Sequence, residues 1–163
     1  MSEIDEALRR NDAFRKAFAD AHLQRPPALG LAIVACMDAR VEPLSCLGLA
    51  VGDAHVIRNA GGSIADAEIY ALAISQRELG TEEVMVIQHT DCGLLGFEDA
   101  DFVEALERET GSRPGWESRG FSDLEQSVRD SLLRIRESPF IPKRDRVRGF
   151  VYDVATGGLG EVA

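Results

Sequence analysis

The 163-residue sequence has no apolar run near the ~18 residues needed to cross a bilayer, so no spanning helix is expected. Aromatic residues make up only 6% of the chain, too few for an obvious base-stacking platform. Basic residues are outnumbered, with 18 Lys and Arg against 28 Asp and Glu and a formal charge of −10. Nucleic acid, held mostly through Lys and Arg on phosphate, is therefore not an expected partner. A small or neutral ligand fits this charge better than a polyanion. Cysteine occurs three times, as Cys36, Cys46 and Cys92, with no C-x-x-C. An odd count argues against a disulfide framework, and the missing motif against a redox dithiol. Without a G-x-G-x-x-G or a P-loop lysine, Asn59-Ala60-Gly61-Gly62 is a weak nucleotide-binding candidate. The start, MSEIDEALRR, puts acidic residues ahead of its basic pair and has no apolar stretch after it. It does not read as a secretory signal, and a cytoplasmic location is the expectation.

What is present reads as one domain. The chain is 45% hydrophobic and 28% charged, an ordinary globular balance. At this length about 70% of the unfolded surface can be buried. The expected division is a helical arm over residues 1–27 and a core over residues 28–163.

Residues 2–20 predict a helix with Ser2 as N-cap. Ile4, Leu8, Phe14 and Phe18 fall near one stripe, suited to this core or to a second subunit. Leu29 to Cys36 is a continuous apolar run of strand length, as in a buried parallel strand. A short helix over 41–49, a strand over 54–58 and a helix over 63–79 with Gly80 as its stop follow. Residues 83–88 predict a third strand, and 111–120, rich in Gly, Pro and charge, a surface loop. Ser122 or Asp123 can cap a helix reaching about Glu137, before a fourth strand over 147–154. The Gly-rich tail can add a short edge strand. Helices alternating with strands predict an α/β fold with a mainly parallel central sheet of four to five strands flanked by helices.

In such sheets ligands sit beyond the carboxyl ends of the strands. Cys36 and His89 both stand at such an end, and Cys92 follows His89 by three positions. Zinc accepts thiolate sulfur and imidazole nitrogen, at about 2.3 and 2.0–2.1 Å. Three protein ligands with one open position describe a catalytic zinc site. No fourth Cys or His lies nearby, and Asp38, two after Cys36, is best placed to compete for that position. Each element also has a plain structural reading: a core cysteine, a chance His-x-x-Cys, a surface Asp–Arg pair of little energetic worth. Spacing alone does not decide between the two.

Cys36-Met37-Asp38-Ala39-Arg40 and His89-Thr90-Asp91-Cys92-Gly93 resemble the Cys-x-Asp-x-Arg and His-x-x-Cys-Gly elements of β-class carbonic anhydrases. HVIRNAGG, from His55 to Gly62, is also similar to that family, especially its short prokaryotic members. The likeness runs from about residue 29 to 97, with three motifs in the family's order.

The resemblance implies one zinc per chain held by Cys36, His89 and Cys92. It implies reversible hydration of carbon dioxide to bicarbonate and a proton, by hydroxide generated at the metal. Asp38 and Arg40 would form the family's catalytic dyad. In the active form Arg40 holds Asp38 away from the zinc; in the resting form Asp38 itself binds it. Gly93 would hold a substrate oxygen through its backbone N–H. The resemblance further implies a homodimer, with the first helix packed on the partner, or a homotetramer. The Gly61-Gly62 turn would let backbone approach the site closely.

Other residues carry weaker expectations. His55 and His22 have a suitable pKa for proton export, but His55 begins a strand, and buffer or water is preferred. Cys46 is expected to be buried on the short helix. Phe97, Phe102 and Trp116 can line an apolar entrance or serve as core or interface. Two other functions stay open: hydrolysis of carbon disulfide on the same scaffold, and a non-catalytic zinc-binding regulatory role.

Overall fold

The computed structural model describes residues 2–163. Its frame is set by strands apolar enough to be buried on both faces. β1 (Leu31–Cys36) has Ala32 through Ala35 fully buried. It lies between β2 (Ala54–Asn59) and β3 (Glu83–His89), and the sheet continues through β4 (Val147–Tyr152) to β5 (Leu159–Val162). The order is β2-β1-β3-β4-β5, parallel except for β5, which runs antiparallel to β4. The predicted strands all form, and the Gly-rich tail supplies the edge strand.

α3 (Asp66–Arg77) and α5 (Leu124–Glu137) cover one face. Leu72, Val128, Leu132 and Ile135 pack there on Ala32, Val34, Val84 and Val86. Gly149 of β4 is what lets α5 come so close, since a Cβ there would lie 2.3 Å from Val128 Cγ1. On the other face Ile33, Ala35, Val41 and Ile87 are joined by Leu47 and Leu49, in and just after α2 (Pro43–Leu47). Met85, Phe150 and Tyr152 on that face remain only half-buried.

Three expectations need correction. α1 (Glu3–Lys16) starts on the predicted cap, with Ser2 Oγ accepting from Asp5 N–H, but stops four residues before Asp20. A single 3-10 turn follows at Asp20–His22. No residue of α1 is buried, and its apolar stripe stays exposed, with Phe14 meeting Phe18 at 5.8 Å between ring centroids. α4 (Asp99–Thr110) is a helix in a stretch to which the periodicity assigned nothing. Its signals are short-range: Asp99 and Asp101 in the first turn, and Gly111 in the left-handed region at its end. The 111–120 segment is a loop, but not wholly a surface one. Its Arg119 reaches inward to the buried carboxylate of Glu68 at 2.9 Å.

β1 sits in the sheet with β2 on one side and β3 on the other. The chain therefore leaves β1 in one direction and later returns on the opposite side. A crevice opens at the carboxyl ends where the strand order reverses. Between β1 and β3, that end carries Cys36 and His89.

Candidate metal centre

Cys36, His89 and Cys92 are brought together and buried, with one ligand atom from each lying within 4.8 Å of the others. Two neighbouring strands and one turn accomplish this. Cys36 is the last residue of β1 and His89 the last of β3. The turn after β3 returns Cys92 to the same place. It passes through Asp91 at φ +54, a left-handed conformation that Asp tolerates better than most side chains.

His89 is fully buried, and its two ring nitrogens differ. Nδ1 is 2.9 Å from the Thr90 carbonyl, to which it donates as N–H. Nε2 is buried with no partner among the described residues. A donor on Nδ1 leaves a lone pair on Nε2, aimed at the two thiols. Thr90 itself is tied down: its N–H bonds to Tyr152 O at 2.9 Å, and its Oγ1 accepts from Val154 N–H at 3.1 Å. This is the outer support that orients a metal-binding imidazole. Burial pushes the Cys92 thiol above its ordinary value, and neighbouring Cys36 adds to the rise against the Leu94 backbone N–H. Two buried thiols and an orphaned imidazole nitrogen are costly alone. A divalent cation resolves both costs, so the donor set fits zinc.

The glycine turn approaches as closely as expected. At Gly62, φ is +68 and an added Cβ would stand 2.8 Å from Ile87 O and 2.9 Å from Cys36 N. Asn59 shapes this turn by accepting from Gly62 N–H at 2.8 Å. Gln88, fully buried beside His89, donates to Gly61 O at 2.8 Å.

Asp38 and Arg40 lie at the mouth. Arg40 Nε and Nη2 donate to the two carboxylate oxygens of Asp38 at 3.0 and 2.8 Å, and Arg40 N–H adds a third bond at 2.9 Å. These bonds, side chain first, hold the Asp38 carboxyl well below the usual carboxylate range. Asp38 Oδ2 is 3.9 Å from His89 Nε2. The sequence reading missed the far side of Arg40. There Nη1 donates to Asp91 Oδ2 at 2.7 Å and Nη2 to Asp91 O at 2.9 Å. It also missed Arg58, which reaches the backbone of this same turn.

Gly93 is exposed and faces open space, with no atom within 4 Å of where a Cβ would sit. Phe97, Phe102 and Trp116 line one cavity of about 550 Å³ with Ala60 and Leu94, beside the turn that bears Cys92. His55 pairs in register with Ala32, four residues and roughly 13 Å back along the sheet from Cys36. Its ring bonds to Ser75 Oγ at 2.8 Å, and exposed His22 sits on the 3-10 turn. Neither histidine is brought to the site. Cys46 is on α2 as expected but only half-buried.

The comparisons agree with this geometry. The family model described as "Carbonic anhydrase" matches residues 31–159. "Beta-carbonic anhydrase 1" of Mycobacterium tuberculosis is 49% identical over 162 residues, covering 99% of both chains. A carbon disulfide hydrolase of Acidithiobacillus thiooxidans is 31% identical over 148 residues, covering 78% of this chain and 74% of that protein. The crystal structure of carbonic anhydrase from Streptococcus mutans superposes with a TM-score of 0.92 at 41% identity, covering 100% and 99% of the two chains. A family match over β1 to β4 that includes Cys36, His89 and Cys92, with near-half identity to a relative over 99% of both chains, shows that this chain belongs to the β-class carbonic anhydrase family.

Proposed function

We propose that this chain catalyses the reversible hydration of carbon dioxide to bicarbonate and a proton, with one zinc ion held by Cys36, His89 and Cys92. The observation that carries the reading is the orphaned Nε2 of His89 beside two buried thiols. Bound there, zinc would keep one open position and bring the acidity of water towards neutrality, supplying the nucleophile. Two thiolates lend the metal more charge than imidazoles would, so activity should favour the alkaline side.

The chain's own residues do the rest. Arg40 engages both oxygens of Asp38 and so keeps a carboxylate from competing for the open position. Released from Arg40, Asp38 would close the site. Asp38 can also accept a hydrogen bond from the attacking oxygen and aim its lone pair. Gly93, exposed and next after Cys92, can offer its backbone N–H to a substrate oxygen. Buffer or water carries the proton away, since neither His55 nor His22 is at the site.

Carbon disulfide is the second reading, favoured by the 31% identical hydrolase. We further propose the 1–27 arm and 28–163 core as the division of the chain, and a homodimer or homotetramer as its state. The unpartnered stripe of α1 and the half-buried sheet face at Met85, Phe150 and Tyr152 support assembly. Three free cysteines suit a reducing compartment, and the cytoplasm is the proposed location. No helix among the described residues is long and apolar enough to cross a membrane.

Stopped-flow carbon dioxide hydration by zinc-verified protein, scanned from about pH 7 to 9, tests the reading. Turnover that rises with pH and vanishes with zinc removal is expected. No turnover at full zinc occupancy overturns it, and sulfide release from carbon disulfide would then identify the second activity.

A further inference from the structure

The turn that carries Asp38 and Arg40 has little secondary structure to hold it. Within residues 37–41 its backbone bonds are Met37 N–H to Asn59 O at 2.7 Å and Val41 N–H to Asp38 O at 3.0 Å. Asp91 accepts from the Arg40 side chain, but among the described residues one outside side chain bonds the backbone of the turn itself. Arg58, near the end of β2, donates from Nε to Cys36 O at 3.0 Å. Its Nη2 donates to Asp38 O and to Val41 O, each at 2.7 Å. One guanidinium thus spans the turn from a candidate metal donor, through the backbone carbonyl of Asp38, to the first residue beyond Arg40. Its one acidic neighbour, Glu42, lies at 3.7 Å from Nη1 and is exposed, a contact of small worth.

We propose that Arg58 is the positioning residue of the dyad: through three carbonyls it holds the Asp38–Arg40 turn in the arrangement that leaves the site open. This rests on the proposed hydration activity. The reasoning is geometric. Arg40 can grip Asp38 only while the backbone between them keeps its shape, because the two residues are linked by a single alanine. That backbone is bound to β2 by Arg58 and by the Met37 N–H bond to Asn59 O, and beyond Met37 by Arg58 alone among side chains of the described residues, so drift of the turn there shifts Asp38 relative to the candidate donors. A planar guanidinium donates here from two separate nitrogens in fixed directions, whereas the three donors of an ammonium radiate from a single nitrogen. Arg58→Lys therefore keeps the charge and loses the fork. Displacements near 1 Å at such sites cost up to about 10²-fold in rate.

A double-mutant cycle on zinc-verified protein tests this. Arg58→Lys is expected to keep stoichiometric zinc and to lose about tenfold or more in kcat/KM. Because it acts through Asp38, it should cost nothing further in an Asp38→Ala background. Amide hydrogen exchange gives a readout independent of turnover. Exchange at Arg40 and Val41 should quicken about tenfold in Arg58→Lys, while Val86 and Ile87 in β3 stay protected. A kcat/KM within twofold of wild type, additive losses in the cycle, or unchanged exchange at Arg40 and Val41 overturns the proposal. Arg58→Gln, which also lacks the fork, takes the place of Arg58→Lys should that variant not fold. Wild-type protein inactive towards carbon dioxide would instead overturn the function reading, and the exchange result would still judge Arg58.

Discussion

Gly62→Ala is the sharpest single perturbation of this centre, because Gly61→Ala beside it provides the control. Both residues have positive φ, +84 at Gly61 and +68 at Gly62, so alanine pays about 1–2 kcal/mol at either site. The surroundings differ. At Gly61 the nearest atoms to an added Cβ are Leu94 Cγ at 3.5 Å and Leu94 Cβ and Phe121 Cε1 at 3.6 Å, which is ordinary contact. At Gly62 they are Ile87 O at 2.8 Å and Cys36 N at 2.9 Å. Both of these are backbone in the middle strands of the sheet and cannot swing aside like a side chain. Overpacking against such atoms costs typically 1–3 kcal/mol. Gly61→Ala should therefore destabilise by about 1–2 kcal/mol and Gly62→Ala by about 2–5 kcal/mol. Relief of the clash also pushes apart the ends of β1 and β3, so Gly62→Ala should weaken zinc retention and Gly61→Ala should not. Urea unfolding of chelator-treated protein at one fixed chain concentration measures the first effect. Zinc content after dialysis measures the second. Equal unfolding free energies for the two variants, or equal zinc retention, would refute the close-approach argument.

Four shorter predictions follow from other parts of the structure. Asp38→Ala should retain zinc yet lose most hydration activity in stopped-flow assays, and full activity would remove Asp38 from the dyad. Cys92→Ser should lose metal by elemental analysis, and tight stoichiometric zinc in that variant would exclude Cys92 as a ligand. Burial opposes ionisation of Glu68, but Asn59, Arg119 and the Ala65 N–H together hold its pKa below the ordinary value. Its ion pair therefore contributes stability that is complete above the unfolded pKa near 4.3 and fades as pH falls through the lower folded value. Glu68→Gln should lose roughly 1–3 kcal/mol at pH 7, and the gap from wild type should narrow below about pH 4; a pH-independent gap in urea midpoints would count against the pairing. Finally, Leu8→Asp combined with Phe14→Asp should lower the sedimenting mass if the exposed stripe of α1 packs on a second chain. An unchanged mass with an intact fold would place the subunit contact elsewhere.

Much of this was readable from residue order. Strands buried on both faces must be apolar nearly throughout, so Leu29 to Cys36 announced β1 and the glutamate-to-glutamine run announced β3. Turn and cap chemistry is similarly local: Ser2, Asp123 and Gly62 do what their side chains, or lack of one, permit. The candidate donors were legible in part from placement, with Cys36 and His89 at predicted strand ends and Cys92 three positions on, and it was the resemblance of their motifs that singled them out. α4 was not read, although Phe102, Val103 and Leu106 stand at helical spacing on it: it buries no residue, and its stripe is short and flanked by charge.

What the sequence determined by itself, then, is the alternation of helix and strand, the candidate donors and the expectation of an α/β sheet. The tertiary structure alone decided which of them meet. Asp91 and Arg58 lie 51 and 18 residues from Arg40, yet Asp91 takes the far side of its guanidinium and Arg58 holds its turn. No local pattern encodes such pairings, because they arise only when parallel strands align their carboxyl ends. The same alignment leaves His89 Nε2 without a partner among the described residues and drops the Gly62 backbone against Cys36. Parallel strands join residues far apart in the chain, and so the centre exists only once the sheet has closed around it.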